Sequence, residues 1–76
     1  MKELVLTVAR ALVNEPDQVE VNETEDERTI TLELKVAPDD MGKIIGKQGR
    51  IAKAIRTVVK AAATQESKRV VVEITQ

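Results

Sequence analysis

The stretch DDMGKIIGKQGRIAKAIR, residues 39–56, sets two glycines around two polar residues, between an apolar segment and a basic one. Glycine inside a helix costs about 1 kcal/mol relative to alanine. Gly46 and Gly49 therefore predict either a bend in the backbone or a surface that another molecule approaches closely.

Helical patterns lie on both sides of the glycines. The preceding APDD is typical of a helix start, so we expect a short helix that Gly46 and Gly49 interrupt. A longer helix is predicted from about Arg50 to Gln65. On a helical wheel it has an apolar side, predicted to be core, and an opposite basic side. The apolar side holds Ile51, Ile55, Val58, Val59 and Ala62, and the basic side holds Lys53, Arg56 and Lys60.

The rest of the chain predicts one more helix and three strands. Apolar residues recur at helical spacing over residues 2–13. Strict alternation predicts strands around Val19 and Val21, in TITLELKV (29–36) and in KRVVVEI (68–74), with NETEDE (22–27) as an acidic turn. The order α-β-β-α-α-β predicts an α+β domain in which three helices cover one face of a three-stranded mixed sheet.

Composition limits what this domain can do. The 76 residues are enough for one domain, 1–76, and they include no cysteine, no histidine and no aromatic residue. An imidazole base and a thiol nucleophile are therefore excluded, and we expect a protein that is not an enzyme and needs no metal or cofactor. No apolar run has the length of a membrane span, which favours a cytoplasmic protein.

The net charge of −1 conceals an uneven distribution. Residues 1–40 hold 11 acidic and 4 basic side chains, a balance of −7. Residues 41–76 hold 2 acidic and 8 basic side chains, a balance of +6. This asymmetry fits either a local site for a polyanion or ordinary solvated surface charge.

The glycine loop favours the polyanion. A helix N-terminus exposes unpaired N–H groups and carries about half a positive charge, and glycines before it let an anion come close. Lys47 and Arg50 add full charges at the same place. A tight helical corner would explain the glycines but not the basic residues. GKIIGKQ does not match the nucleotide P-loop, because only three residues separate its glycines and Gln48 replaces the hydroxyl residue.

The segment IIGKQGRIAKAI, residues 44–55, resembles the signature of KH domains, in which a GXXG loop clamps about four nucleotides of a single strand. The element order matches the type II KH fold. With the terminal KRVVVEI, the whole chain resembles small bacterial single-KH RNA-binding proteins of the KhpA family. The resemblance implies a cytoplasmic, post-transcriptional regulator or RNA chaperone that dimerises or joins a larger KhpB (Jag)-type KH partner, with links to cell shape.

The resemblance and the residue types together define the candidate site. The glycines would let the sugar–phosphate backbone come close, and basic and amide side chains would contact its phosphates. Apolar residues, with the strand edge near Leu34 and Val36, would form the floor of a groove for bases. Ile45 and Ile55 have the stronger core character. The candidate RNA-binding residues are Ile44, Ile45, Gly46, Lys47, Gln48, Gly49, Arg50, Ile51, Lys53 and Ala54, with a secondary basic face of Lys43, Arg56 and Lys60.

Two further interpretations stay open. The chain is alternatively a protein–protein adaptor that keeps the KH shape and binds little RNA. Self-association is expected because small domains with thin cores often gain stability that way. We expect the dimer surface in the helical half, at Met41 and the alanines of KAAA (Ala61–Ala63).

Overall fold

A computed structural model of the chain describes the backbone of residues 1–76 and every side chain except that of Lys47. The regular elements, in chain order, are α1 (Lys2–Leu12), β1 (Glu20–Glu25), β2 (Thr29–Lys35), α2 (Pro38–Ala62) and β3 (Arg69–Thr75). Short 3-10 turns at Pro16–Gln18 and Ala63–Gln65 follow α1 and α2.

The α2 span is two helical arms joined at the glycine loop. Gln48 and Gly49 have φ values of 65° and 68°, outside the right-handed helical region. We call residues 38–47 the first arm and residues 50–62 the second arm. With α1 the domain thus has three helices, and the predicted order α-β-β-α-α-β is confirmed.

The three strands form one mixed sheet in the order β1-β2-β3. β1 and β2 are antiparallel, with Val21 opposite Leu34, whereas β2 and β3 are parallel, with Leu32 opposite Val72. The two arms of α2 make the crossover that a parallel pair requires. β2 is consequently the central strand, and the sequence-based placement of a strand edge near Leu34 and Val36 is wrong.

The core lies between the sheet and the helices. Alternation along β2 buries Ile30, Leu32 and Leu34 on the helical side, while Glu33 and Lys35 are exposed on the other side, as predicted. The core stripe of the second arm is narrower than the wheel predicts. It consists of Ala52, Ile55 and Val59, whereas Ile51, Val58 and Ala62 are only half-buried.

The acidic segment NETEDE is mostly strand, not the turn that its composition predicts. β1 continues through Glu25, which pairs with Ile30, so that only residues 26–28 make the turn. The Asp26 carboxylate accepts N–H bonds from Arg28 (2.8 Å) and Thr29 (2.7 Å). Pairing with β2 outweighs the weak strand propensity of these acidic residues.

A buried carboxylate ties the start of α2 to the loop that follows α1. The Asp40 side chain is 1% exposed, and its two oxygens accept main-chain N–H bonds from Asn14 (2.8 Å) and Glu15 (3.0 Å). Asp40 also lies in the first helical turn, where the helix dipole favours negative charge. Asp40 therefore fixes where the first arm begins, and with it the position of the glycine loop.

Candidate nucleic-acid interface

The two residues that break α2 place different demands on the backbone. Glycine adopts positive φ freely, so Gly49 suits its φ of 68°. Gln48 holds a similar conformation although left-handed backbone costs a non-glycine residue about 1–2 kcal/mol. Gln48 is exposed and strained at the tip of the loop. The strained residue immediately precedes the second arm, at a position that a ligand bound to the loop would contact.

A groove runs from the loop along the second arm. Its volume is about 590 Å³, and its floor is apolar, with Met41 and Ala52 from α2 and Ile74 from β3. Its wall is basic. The exposed side chains of Lys53, Arg56 and Lys60 line it at roughly one-turn intervals. The groove continues between the second arm and β3 as a further concavity of about 610 Å³, which Val70 and Val72 help to line.

The strand beside this groove presents unpaired main-chain groups. The Arg69 N–H donates to the Arg28 carbonyl and the Val36 N–H donates to the Thr75 carbonyl, both at 3.0 Å, so Arg69 and Thr75 direct their polar groups toward β2. These groups alternate in direction along a strand, so Val70, Val72 and Ile74 direct theirs away from β2. In the described part of the chain β3 has no second partner strand. This edge offers donors and acceptors to a ligand in the groove.

The structure divides the predicted site residues between the two sides of the loop. Seven of them line or underlie the groove, four line a second cavity on the far side, and exposed Ala54 lines neither. The groove group is Ile44, Ile45, Gln48, Gly49, Lys53, Arg56 and Lys60. The far-side group is Lys43, Gly46, Arg50 and Ile51. The Lys47 side chain lies outside the described residues.

The two neighbouring isoleucines, both candidate RNA-binding residues, have different surroundings in the structure. Ile45, for which we also expected the stronger core character, is 58% exposed at the groove. Ile44, predicted to contact a base, is 0% exposed and belongs to the core beneath the groove, as Ile55 does. Adjacent residues on a helix point about 100° apart, so only one of the pair can face the sheet. The prediction that Ile55 is core is confirmed.

Sequence reasoning missed several residues that shape the groove. Ala52, not Ala54, lies on its floor, and Met41 and Ile74 complete it. The helical wheel contains a signal for Ala52, which lies three and seven positions before Ile55 and Val59. No comparable signal exists for Ile74, because it belongs to a different element, a strand that follows the second arm in the chain.

The outer face of the sheet and the groove wall differ in charge. Glu33 and Glu73 are aligned neighbours on the exposed outer face of the sheet, where Asn22 is the third member of the same row. The basic wall of the groove belongs to the helical layer behind that sheet. Exposed Lys35 lies on the same outer face, so a basic groove wall contrasts with a sheet face of mixed charge.

Two other features were sought among the described residues. Among them, no group of acidic side chains has an arrangement that could hold a metal ion. Within the same residues, no helix combines the length and the apolar character needed to cross a membrane.

Comparison with known proteins points to one family. The family model "KhpA/KhpB, KH domain" matches residues 2–74. The RNA-binding protein KhpA of Clostridium acetobutylicum is 69% identical over 74 residues, which cover 97% of this chain and 99% of that protein. The KhpA proteins of Halalkalibacterium halodurans and Aquifex aeolicus are 57% and 49% identical, again over 97% of this chain and over 97% and 94% of theirs. No solved structure matches significantly.

The names of these relatives describe binding and not a catalysed reaction. The expectation of a binding protein that is not an enzyme agrees with these names.

Proposed function

The chain belongs to the KhpA/KhpB family of KH domains, and from this premise we propose that it binds single-stranded RNA in the groove beside the glycine loop. The observation that carries the proposal is the composition of that groove. An apolar floor, a wall of three cations and an open strand edge lie side by side. A single strand has apolar base faces, phosphates and base edges, so each surface has a matching part of the ligand.

The loop would hold the sugar–phosphate backbone. Gly49 leaves room for close approach, and the break before the second arm would let its first N–H groups bind an anion, as at a helix N-terminus. In the sequence, Lys47 supplies a charge and Gln48 supplies a hydrogen-bonding amide directly before Gly49. We expect this part of the site to bind phosphate without regard to base sequence.

Bases would lie over Met41, Ala52 and exposed Ile45, with their edges toward β3. The chain has no aromatic residue, so base stacking on side-chain rings contributes nothing. Recognition then depends on van der Waals contact and on hydrogen bonds with the free main-chain groups of Val70, Val72 and Ile74. Modest affinity and low sequence specificity follow for one such domain.

The basic wall gives the sharpest test. Replacing Lys53, Arg56 and Lys60 with alanine should weaken binding to every RNA sequence about equally. It should also flatten the plot of log affinity against log salt concentration, by about 0.7 for each phosphate that the protein no longer neutralises. Fluorescence anisotropy with labelled single-stranded RNA over a salt series measures both quantities.

A matched control is a second triple variant with the same change in net charge. Lys2, Arg10 and Lys35 are exposed and lie outside the groove, so replacing them with alanine should leave the salt slope unchanged. An equal loss of affinity in both triple variants would mean that only net charge matters. Absence of RNA binding by the unchanged protein would favour the adaptor role.

The biological setting forms part of the same proposal. We propose a single KH domain over residues 1–76 that acts in the cytoplasm as a post-transcriptional regulator or RNA chaperone connected with cell shape. It would work as a homodimer or with a larger KhpB/Jag-type partner, whose KH domain belongs to the same family. Two linked grooves would increase affinity by avidity if both reach one strand.

The helical half remains the proposed dimer surface. Met41 is an unsuitable contact because it lies in the groove, whereas Ala61 is exposed and Ala62 and Ala63 are half-buried at the end of α2. Sedimentation equilibrium over a concentration series measures the association directly. A monomeric mass up to about 100 µM, where an interface of ordinary affinity is saturated, would leave only the larger partner.

A further inference from the structure

The glycine loop has a second cavity on the side away from the groove. It has a volume of about 330 Å³ and is lined by Gly42, Lys43, Gly46, Arg50 and Ile51. Such a volume lies within the roughly 300–1,000 Å³ typical of small-molecule sites. The loop forms the ridge between the two concavities, because Gly46 lines this cavity while Gln48 and Gly49 line the groove.

The fold does not need the two glycines that line this cavity. Neither Gly42 nor Gly46 has a positive φ, and a Cβ added to either would meet nothing within 4 Å. Each nevertheless lies inside the first arm, where glycine weakens a helix by about 1 kcal/mol relative to alanine. Their effect is to leave the backbone bare on the floor of the cavity, open to a group from another molecule.

The rim of the cavity is cationic. Lys43 and Arg50 are exposed, and neither forms an ion pair with a described side chain. The one hydrogen bond of the Lys43 ammonium goes to the neutral amide oxygen of Asn14, at 3.3 Å. Two positive charges without a direct ion pair to a described side chain thus lie beside an apolar lining of bare backbone and half-buried Ile51.

A nucleotide combines the two properties that this surface complements, an anionic phosphate and a flat, weakly polar base face. A second copy of the chain bound through the same surface would bring four like charges together. An apolar helix from another protein would leave both cations without partners. Charge complementarity therefore favours nucleic acid as the occupant.

We propose that a bound RNA strand does not end at the loop but crosses it, and that the next nucleotide occupies the far-side cavity. The strand's phosphates then contact Arg50 and Lys43 after leaving the loop. This inference rests on the proposed function and extends it, because the binding site becomes longer than the roughly four nucleotides of one KH groove.

A bulky substitution inside the cavity tests the inference and leaves the residues that line the groove unchanged. Gly42→Leu fills the cavity from its floor, and it should raise the unfolding temperature because leucine favours helix more than glycine does. Ala11→Leu is the matched control, because Ala11 is exposed on a helix, α1, and lines neither concavity. Each variant is compared with the unchanged protein by fluorescence anisotropy, using a tetranucleotide and an oligonucleotide about three times as long.

We expect Gly42→Leu to bind the tetranucleotide normally and to bind the longer RNA about tenfold more weakly, the effect of removing one charge-assisted hydrogen bond. Ala11→Leu should bind both normally. Arg50→Gln should lower the salt slope more for the longer RNA than for the tetranucleotide, by about 0.7.

Three results would overturn the inference and leave the proposed function intact. These are normal binding of the longer RNA by Gly42→Leu, an equal reduction in affinity for both RNA lengths in that variant, and the same reduction in Ala11→Leu. A change in sedimentation mass on Gly42→Leu, with RNA binding unaltered, would show that a second copy occupies the cavity. Failure of the unchanged protein to bind either RNA would remove the proposed function itself.

Discussion

The start and the middle of α2 each contain a polar residue, but one is buried and hydrogen-bonded and the other is exposed. At the start, Asp40 is 1% exposed and its two oxygens accept two main-chain N–H bonds. In the middle, Gln48 is exposed in a left-handed conformation and makes no hydrogen bond with a described side chain. Both carboxylate oxygens of Asp40 have hydrogen-bond donors within the chain, whereas the Gln48 side chain is exposed to solvent.

This contrast separates polar groups that build the domain from those available to a ligand. Burial with complete hydrogen bonding marks a structural role, because an unsatisfied buried group costs about 1–3 kcal/mol. Exposure combined with backbone strain marks a position that folding alone does not favour. Residue type alone does not separate the two roles, because a polar side chain can be buried and bonded or exposed. Mutation of Asp40 should therefore lower stability, whereas mutation at Gln48 should lower RNA affinity.

The largest effect is expected at the loop. Changing Lys47 and Gln48 together to aspartate should lower RNA affinity more than about 100-fold, or roughly 2.7 kcal/mol, because two negative charges then face the phosphates. Stability should stay nearly constant, since Gln48 is exposed. Fluorescence anisotropy and thermal unfolding followed by circular dichroism measure the two quantities. Unchanged RNA affinity with a normal spectrum would show that this loop is not the clamp.

Asp40→Ala should produce the reverse pattern. It leaves the N–H groups of Asn14 and Glu15 without an acceptor, and we expect the free energy of unfolding to fall by about 2–3 kcal/mol. Asp39→Ala is the control, because Asp39 is exposed in the same helical turn. Denaturant titration measures the difference. Equal reductions in the two variants would assign the effect to the helix dipole and not to the hydrogen bonds.

The two loop glycines should also differ from each other. Gly49→Ala forces a side chain into φ of 68° and should lower stability by about 1 kcal/mol. Gly46→Ala has free space and ordinary helical backbone, so it should raise stability by a similar amount. Thermal unfolding of both variants tests this. Destabilisation by Gly46→Ala would mean that the loop backbone constrains that position as well.

The smallest effect is expected at the β1–β2 turn. N–H bonds from Arg28 and Thr29, aided by the nearby charge of Lys68, hold the pKa of Asp26 below its ordinary value. The ionised carboxylate therefore stabilises the fold at neutral pH, and this stabilisation is lost as the pH falls from about 4 through the lowered pKa.

Unfolding temperatures of Asp26→Ala and the unchanged protein should consequently differ more at neutral pH than in acid. Glu27→Ala, an exposed acid in the same turn, should show a smaller difference at neutral pH. A gap between Asp26→Ala and the unchanged protein that does not shrink on acidification would show that the hydrogen bonds do not depend on the carboxylate charge.

Several features of this protein follow from its sequence alone. Period-two alternation in TITLELKV determined which face of β2 is buried, because a strand exposes alternate side chains on opposite sides. Periodicity along the chain determined the element order, and Gly49 indicated the break in α2. These are local patterns, and each depends on residues within a few positions of one another.

Only the tertiary structure decided how the site is assembled. It placed Ile44 in the core and Ile45 at the groove, because the position of the sheet relative to the first arm selects between neighbours. It joined Asp40 to main-chain groups 26 and 25 residues away. It also divided the basic residues between the groove and the far-side cavity. Contacts between distant segments set these outcomes, and local periodicity carries no information about which segments meet.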